Sequence, residues 1–197
     1  MGYETKMMKE ILDRRSIRKY LNKEISKEEI LLVLEAARLA PSGSNTQPWR
    51  FVVVTSQDTK EKIVQVDHNQ KWMLDAPVFI VCVADISCRI PDSDGLLMDE
   101  TQSCHELKQI IRDTAIAIEN ILLQATHMGL ASCWTGWYEQ NEMKTVLNIP
   151  SDKYVVGIVT LGYAAEEQAL RKRKKLDEIV SFEHWEFDKR RDFINNQ

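Results

Sequence analysis

The sequence is short of the features that mark membrane, secreted and disulfide-rich proteins. No apolar run approaches the roughly 18 to 20 residues needed to cross a bilayer. Four cysteines occur without a Cys-x-x-Cys pair, so we expect reduced thiols that are mostly buried rather than a disulfide framework. The N-terminal residues MGYETKMMKE lack the apolar centre of a secretory signal. These absences favour a cytoplasmic protein that does not enter a membrane.

Motifs of nucleotide, metal and nucleic-acid binding are also missing. The sequence contains neither Gly-x-Gly-x-x-Gly nor a P-loop, so neither a Rossmann nor a P-loop nucleotide-binding domain is expected. The four histidines are scattered, and Asp92 to Gly95 lacks EF-hand spacing, so no zinc or calcium site is expected. The net charge of −4 disfavours a dedicated nucleic-acid binder.

The length predicts one domain with one sizeable core. The 197 residues are 44% hydrophobic and contain no repeat and no linker that would separate two domains. We therefore predict a single domain over residues 1–180, followed by a charged and aromatic tail over residues 181–197.

Hydrophobic periodicity predicts an alternation of helices and strands. The expected helices are 3–13, 27–40, 113–128 and 139–147, and the expected strands are 51–55, 78–84, 131–135 and 154–162. Ser26 and Glu29 have the spacing of a capping box, and Gly129 is suited to end the third helix. The pattern alone is equally compatible with a doubly wound α/β sheet and with an α+β sheet.

Three segments carry candidate chemistry. Arg14 to Tyr20 concentrates arginines around Ser16, a composition that can bind a phosphate dianion or form a solvated basic turn. Ala40 to Phe51 offers Ser42, Asn45 and Gln47 to the edge of a planar heterocycle, although these are also ordinary turn residues. The basic run from Leu170 to Lys175 fits an anion site, a nucleic-acid patch or a solvated tail.

In this order, the three segments resemble the flavin-binding signature of the nitroreductase family. Arg14-Arg15-Ser16-x-Arg18 resembles the family's N-terminal FMN motif, and Pro41 to Trp49 resembles its most characteristic loop. Ala76-Pro77, Gly129 to Gly136, and Leu161-Gly162-Tyr163 with Arg171-x-Arg173 are similar to later landmarks. The resemblance spans nearly the whole chain.

The resemblance implies a set of cofactor contacts shared between two subunits. The FMN phosphate, ribityl chain or pyrimidine edge would contact Arg14, Arg15, Ser16, Arg18, Arg171 and Arg173. The other subunit would supply Pro41, Ser42, Asn45 and Gln47. Thr135 and Gly136, next to Trp134, would approach the N5 edge of the ring, with Asn69 on its pyrimidine side.

It also implies a three-layer α+β sandwich with a central, mainly antiparallel sheet, assembled as a homodimer. NADH or NADPH would reduce FMN in a ping-pong reaction with a nitroaromatic, quinone or related acceptor, and no protein side chain would serve as catalytic acid or nucleophile. The tail, with Phe182, Trp185, Phe187 and Phe193, would extend across the partner or pack on its own chain. Acceptor choice is expected to depend on residues 85–106.

Two alternatives stay open on the sequence. The same scaffold could perform reductive dehalogenation or flavin fragmentation, or it could bind FMN without catalysis as a sensor. The sequence does not separate these from the reductase interpretation.

Overall fold

A four-stranded antiparallel sheet forms the centre of the computed structural model, which describes residues 6–102 and 104–187. The strands are β1 (Trp49–Val54), β2 (Val78–Asp85), β3 (Ala131–Thr135) and β4 (Lys153–Gly162), in the order β1-β2-β4-β3. All three pairings are antiparallel, so the α+β prediction is confirmed and the doubly wound alternative is wrong. Every residue of β2 is buried, because helices cover both faces of the sheet.

Helices make the two outer layers. They are α1 (Lys9–Asp13), α2 (Lys27–Arg38), α3 (Gln57–Val66), α4 (His105–His127) and α5 (Gln140–Leu147). Helices α2 and α4 pack together on one face, where Val33 and Ile118 meet Ile80 of the sheet. On the other face α3 packs with α5, and Ile63 and Met143 share a cluster with Phe79. The predicted three-layer sandwich is confirmed.

The predicted capping box sets the start of α2. The Ser26 hydroxyl accepts from the Glu29 amide at 3.2 Å, and the Ser26 amide donates to the Glu29 carboxylate at 2.9 Å. The helix ends at Arg38, two residues before the predicted end at Ala40. It buries Ile30, Val33 and Ala37, which are spaced at helical intervals on one face.

The prediction for α4 is wrong at its N-terminus, because the helix begins at His105 rather than Asp113. Its first turns carry polar residues, but Leu107 and Ile110 are buried against Ile86 and Met98 in a small separate cluster. That tertiary packing outweighs the weak local pattern. The helix ends as expected before Gly129, which has a φ of +73°.

Helix α3 was not predicted from the sequence. It is mostly polar, and of its apolar residues only Ile63 and Val64 are buried. Lys60 is buried as well, with its ammonium donating to the Ala76 carbonyl at 3.0 Å, and burial lowers the pKa of this ammonium. Hydrophobic periodicity counts a lysine as a solvent-exposed residue even where it is buried, so the apolar face of this segment is too narrow to indicate a helix.

Smaller boundary differences affect the other elements. Strands β1, β2 and β4 are one or two residues longer than predicted at one end, and β1 stops at Val54. Within the described residues the first helix covers only Lys9–Asp13, and residues 3–5 of its predicted range lie outside them. Cys82 and Cys133 are buried, whereas Cys88 and Cys104 are half-buried.

Residues 85–106 are anchored to the loop before β4. The Ser93 hydroxyl donates to Asp152 at 2.8 Å, and the Met98 amide donates to the Ser151 carbonyl at 3.0 Å. The buried ammonium of Lys144 bridges the carbonyls of Met98 and Ser151. Among the described residues, no helix is long and apolar enough to span a bilayer.

Candidate functional site

Two of the three predicted segments meet in one cleft. A cavity of about 230 Å³ is lined by Arg14, Arg15, Ser16, Arg18, Gln168, Ala169, Arg171 and Arg173. Backbone pairing brings these distant parts of the chain together. The Leu21 amide donates to the Tyr163 carbonyl at 2.8 Å, and the Ala165 amide donates to the Lys19 carbonyl at 3.0 Å. The N-terminal segment therefore runs beside the chain that leaves β4.

The residues that line this arginine cleft are suited to contact an anion. Five of its eight residues are arginines, and none of its described lining residues is acidic. Arg14 forms an ion pair at 3.9 Å with Glu119, which does not line the cleft. The Nε atom of Arg15 is buried and has no hydrogen-bond partner among residues 6–102 and 104–187. A buried guanidinium N–H without an acceptor is costly. The Nη1 atom of the same side chain donates to the Leu12 carbonyl at 2.5 Å and to the Arg14 carbonyl at 2.9 Å.

A second polar cluster, the Thr135 corner, consists of Asp67, Gln70 and Thr135. The Thr135 hydroxyl donates to the Asp67 carboxylate at 2.8 Å and accepts from the Gln70 side-chain amide at 2.7 Å. The Trp137 amide donates to the other Asp67 oxygen at 3.0 Å. Burial raises the pKa of Asp67, while the hydrogen bonds from Thr135, Trp137 and Gln70 act against that rise.

The Thr135 corner is linked to the arginine cleft through Trp72. The Trp72 indole N–H donates to the side-chain amide oxygen of Gln70 at 3.1 Å, and the Arg18 guanidinium lies 5.4 Å from the Trp72 ring centroid. Sequence reasoning missed Asp67, Gln70 and Trp72. They lie in and around a short loop, and no local pattern distinguishes a buried carboxylate from a surface one.

Asn69 and Gly136 adjoin the Thr135 corner, whereas the side chain of Trp134 does not. Asn69 is exposed beside Gln70 with a left-handed φ of 55°, a conformation that asparagine tolerates. Trp134 points to the opposite face of β3 from Thr135, because side chains alternate along a strand. Its indole packs over Gly157, where an added Cβ would lie 1.9 Å from Nε1.

The predicted loop before β1 is held by its own hydrogen bonds. The Ser42 hydroxyl accepts from the Gln47 amide at 2.9 Å, and Asn45 and Gln47 both adopt positive φ. The Gly43 amide donates to Asp113 at 3.1 Å, and its carbonyl accepts from Arg89 at 3.1 Å. Pro41, Asn45 and Gln47 are exposed, and Ser42 is half-buried.

This loop and the arginine cleft lie at diagonally opposite corners of the sheet. The loop leads into Trp49 of edge strand β1, which pairs with Ala84, whereas Ser16 bridges Ser132 of the other edge strand. Ser132 pairs with Leu161 of β4, and Leu161 pairs in turn with Val78 of β2. Trp49 and Ser132 are therefore three strand spacings apart across the sheet and six residues apart along β2, which corresponds to a separation of about 25 Å. The two predicted halves of the site therefore do not meet within one chain.

The protein is an α+β sandwich with an arginine-lined cleft, and comparison with known proteins gives its family. The chain belongs to the nitroreductase family, whose model matches residues 11–85 and 64–163. It is 34% identical over 165 residues to a putative NADH dehydrogenase/NAD(P)H nitroreductase of Archaeoglobus fulgidus, covering 82% of this chain and 87% of the relative.

Two solved structures superpose closely on this chain. NfrA1 of B. megaterium is 27% identical with a TM-score of 0.83, covering 94% of this chain and 77% of that one. An FMN-dependent nitroreductase of Clostridium difficile is 29% identical with a TM-score of 0.74, covering 91% of this chain and all of that one (100%).

Proposed function

We propose that the protein is an FMN-dependent oxidoreductase that uses NADH or NADPH to reduce nitroaromatic, quinone or related small acceptors. The observation that carries the proposal is the arginine cleft, where motifs more than a hundred residues apart converge on one anion-sized cavity. Family membership and the FMN-dependent relative agree with it. Bound FMN would supply two-electron redox chemistry between the nicotinamide donor and the acceptor.

In this proposal the residues of the chain bind and orient the cofactor. Arg14, Arg15, Ser16 and Arg18, with Arg171 and Arg173, hold the phosphate and its neighbouring groups by charge-assisted hydrogen bonds. Thr135 and Gly136 would face the N5 edge of the ring and Asn69 its pyrimidine side, while the side chain of neighbouring Trp134 lies on the other face of β3. Fixed donors and cations near the ring stabilise negative charge that develops on reduction.

A homodimer would bring the loop before β1 to the cleft of its partner. About 25 Å of sheet separates the two within a chain, so Pro41, Ser42, Asn45 and Gln47 reach a flavin only from a second copy. The exposed apolar side chains of Leu31, Leu32 and Leu39 on and after α2, and Ile116 on α4, offer a surface for that contact.

The C-terminal tail is the second surface that we assign to the dimer. Residues 1–180 would form the flavin-binding domain of a cytoplasmic enzyme, and residues 181–187 would pack on the partner, while residues 188–197 of the predicted tail lie outside the described residues. Phe182 is 83% exposed and Trp185 is 74% exposed, which is costly for aromatic side chains unless another surface covers them. Phe193 lies outside the described residues.

The arginine cleft can be tested by comparing FMN with riboflavin, which lacks the phosphate. Titration calorimetry of the flavin-free protein should give a dissociation constant at least tenfold lower for FMN, because several charge-assisted contacts are lost with riboflavin. The FMN-loaded protein should then oxidise NADH or NADPH when menadione is present. Equal affinity for both flavins would remove the cleft from the site, and bound FMN without turnover would favour a binding protein.

A further inference from the structure

We propose that His68 and Trp137 form an aromatic platform that binds flat, electron-poor aromatic acceptors next to the flavin. The inference deepens the proposed function and rests on it. The two rings are stacked, with centroids 3.9 Å apart and planes inclined by 13°. They lie in the loops that follow α3 and β3, directly beside the Thr135 corner.

The platform is open to solvent in spite of its stacking. Trp137 is 64% exposed and His68 is exposed too, although each covers one face of the other. An exposed tryptophan leaves a large apolar surface in water, which favours burial by a ligand of matching shape. One free ring face remains on each side of the stacked pair.

Hydrogen bonds hold the platform in place before any ligand arrives. The Trp137 amide donates to Asp67 at 3.0 Å, and the Nδ1 atom of His68 lies 2.5 Å from the Trp137 carbonyl oxygen. A carbonyl can only accept, so Nδ1 carries the proton and Nε2 faces away. His68 also has a φ of 51°, an uncommon conformation that persists only where the surroundings enforce it.

One buried carboxylate ties the platform to the proposed reaction site. Asp67 accepts from the Trp137 amide with one oxygen and from the Thr135 hydroxyl with the other. The aromatic pair and the residue that we place at the N5 edge of the ring therefore share a single rigid anchor. A ligand resting on the platform would therefore lie next to Thr135.

The chemistry of the rings selects the ligand class. Indole is electron-rich, and aromatic pairs favour offset-stacked geometry, so a flat, electron-poor quinone or nitroaromatic ring complements it. A rounded, non-aromatic oxidant such as ferricyanide has no flat face to stack. The platform should therefore raise the affinity for fused-ring acceptors selectively.

The test uses the flavin-loaded protein and three variants: Trp137→Leu, Trp137→Phe and His68→Ala. Calorimetry without any nicotinamide donor measures the dissociation constant of menadione for the oxidised protein. Trp137→Leu should raise it roughly three- to tenfold, the size of one stacking contact, whereas Trp137→Phe should restore most of the affinity. The kcat/KM ratio of menadione to ferricyanide should fall by a similar factor in Trp137→Leu, and by less in His68→Ala.

Specific outcomes would overturn the platform. A wild-type menadione dissociation constant in both Trp137→Leu and His68→Ala would remove the pair from acceptor binding. An equal fall in kcat/KM for menadione and ferricyanide would indicate general damage, and a slower flavin reduction by NADH alone would assign the platform to the donor. A wild-type protein without FMN-dependent turnover would instead refute the proposed function itself.

Discussion

Removal of the buried Asp67 carboxylate should destabilise the protein and loosen the Thr135 corner. In Asp67→Ala the Trp137 amide and the Thr135 hydroxyl both lose an acceptor that now lies at 3.0 and 2.8 Å. A buried group left without its partner costs about 1 to 3 kcal/mol. Since Thr135 keeps its contact with Gln70, we expect a total loss of about 2 to 4 kcal/mol in the free energy of unfolding. Urea unfolding at a fixed FMN concentration would measure it.

The Asp67→Asn variant is the matched control, because it keeps the size of the side chain and removes its charge. Burial raises the folded-state pKa of Asp67 above its unfolded value. The wild-type side chain therefore contributes most stability below the unfolded pKa, and that contribution is lost as pH rises through the folded pKa. The stability of Asp67→Asn relative to wild type should thus improve from pH 4 to pH 7. A pH-independent difference, or an Asp67→Ala variant as stable as wild type, would refute this reasoning.

Three further predictions concern the flavin site and the packing of β3. Arg18→Ala should weaken FMN binding roughly tenfold while leaving the fold intact, and unchanged flavin occupancy after dialysis would count against its role. Asn45→Ala should also lower occupancy if the loop reaches the partner's flavin, and wild-type occupancy with wild-type reduction kinetics would remove Asn45 from the site. Gly157→Ala places a Cβ 1.9 Å from Trp134 Nε1, so thermal unfolding should show a Tm lower by about 3 to 10 °C. Adding Trp134→Ala should recover part of that loss, and an unchanged Tm in Gly157→Ala alone would contradict the packing argument.

The sequence was most informative where a local pattern has one structural solution. The capping box of Ser26 and Glu29, the end of α4 at Gly129 and the apolar run of β2 all predicted their elements within two residues. The basic motifs, by contrast, allowed several interpretations from their composition alone. The family resemblance predicted that Arg18 and Arg171 act on one ligand, and the structure lines one cleft with both.

Features that depend on tertiary packing could not be predicted. The first turns of α4 form because Leu107 and Ile110 are buried against Ile86, far away in sequence. From the sequence alone Asp67 is an ordinary loop carboxylate, and its burial depends on contact with Thr135 of β3. The order of the strands, which places the loop before β1 and the arginine cleft at opposite corners, also follows only from the sheet.

The visible absorption spectrum of the purified protein tests the central claim most directly. The protein would be reconstituted with FMN, desalted, and then mixed anaerobically with NADH or NADPH. The account predicts retained flavin bands that bleach with the nicotinamide and return when a quinone or nitroaromatic is added. A colourless protein after desalting, with no retained flavin, would contradict it.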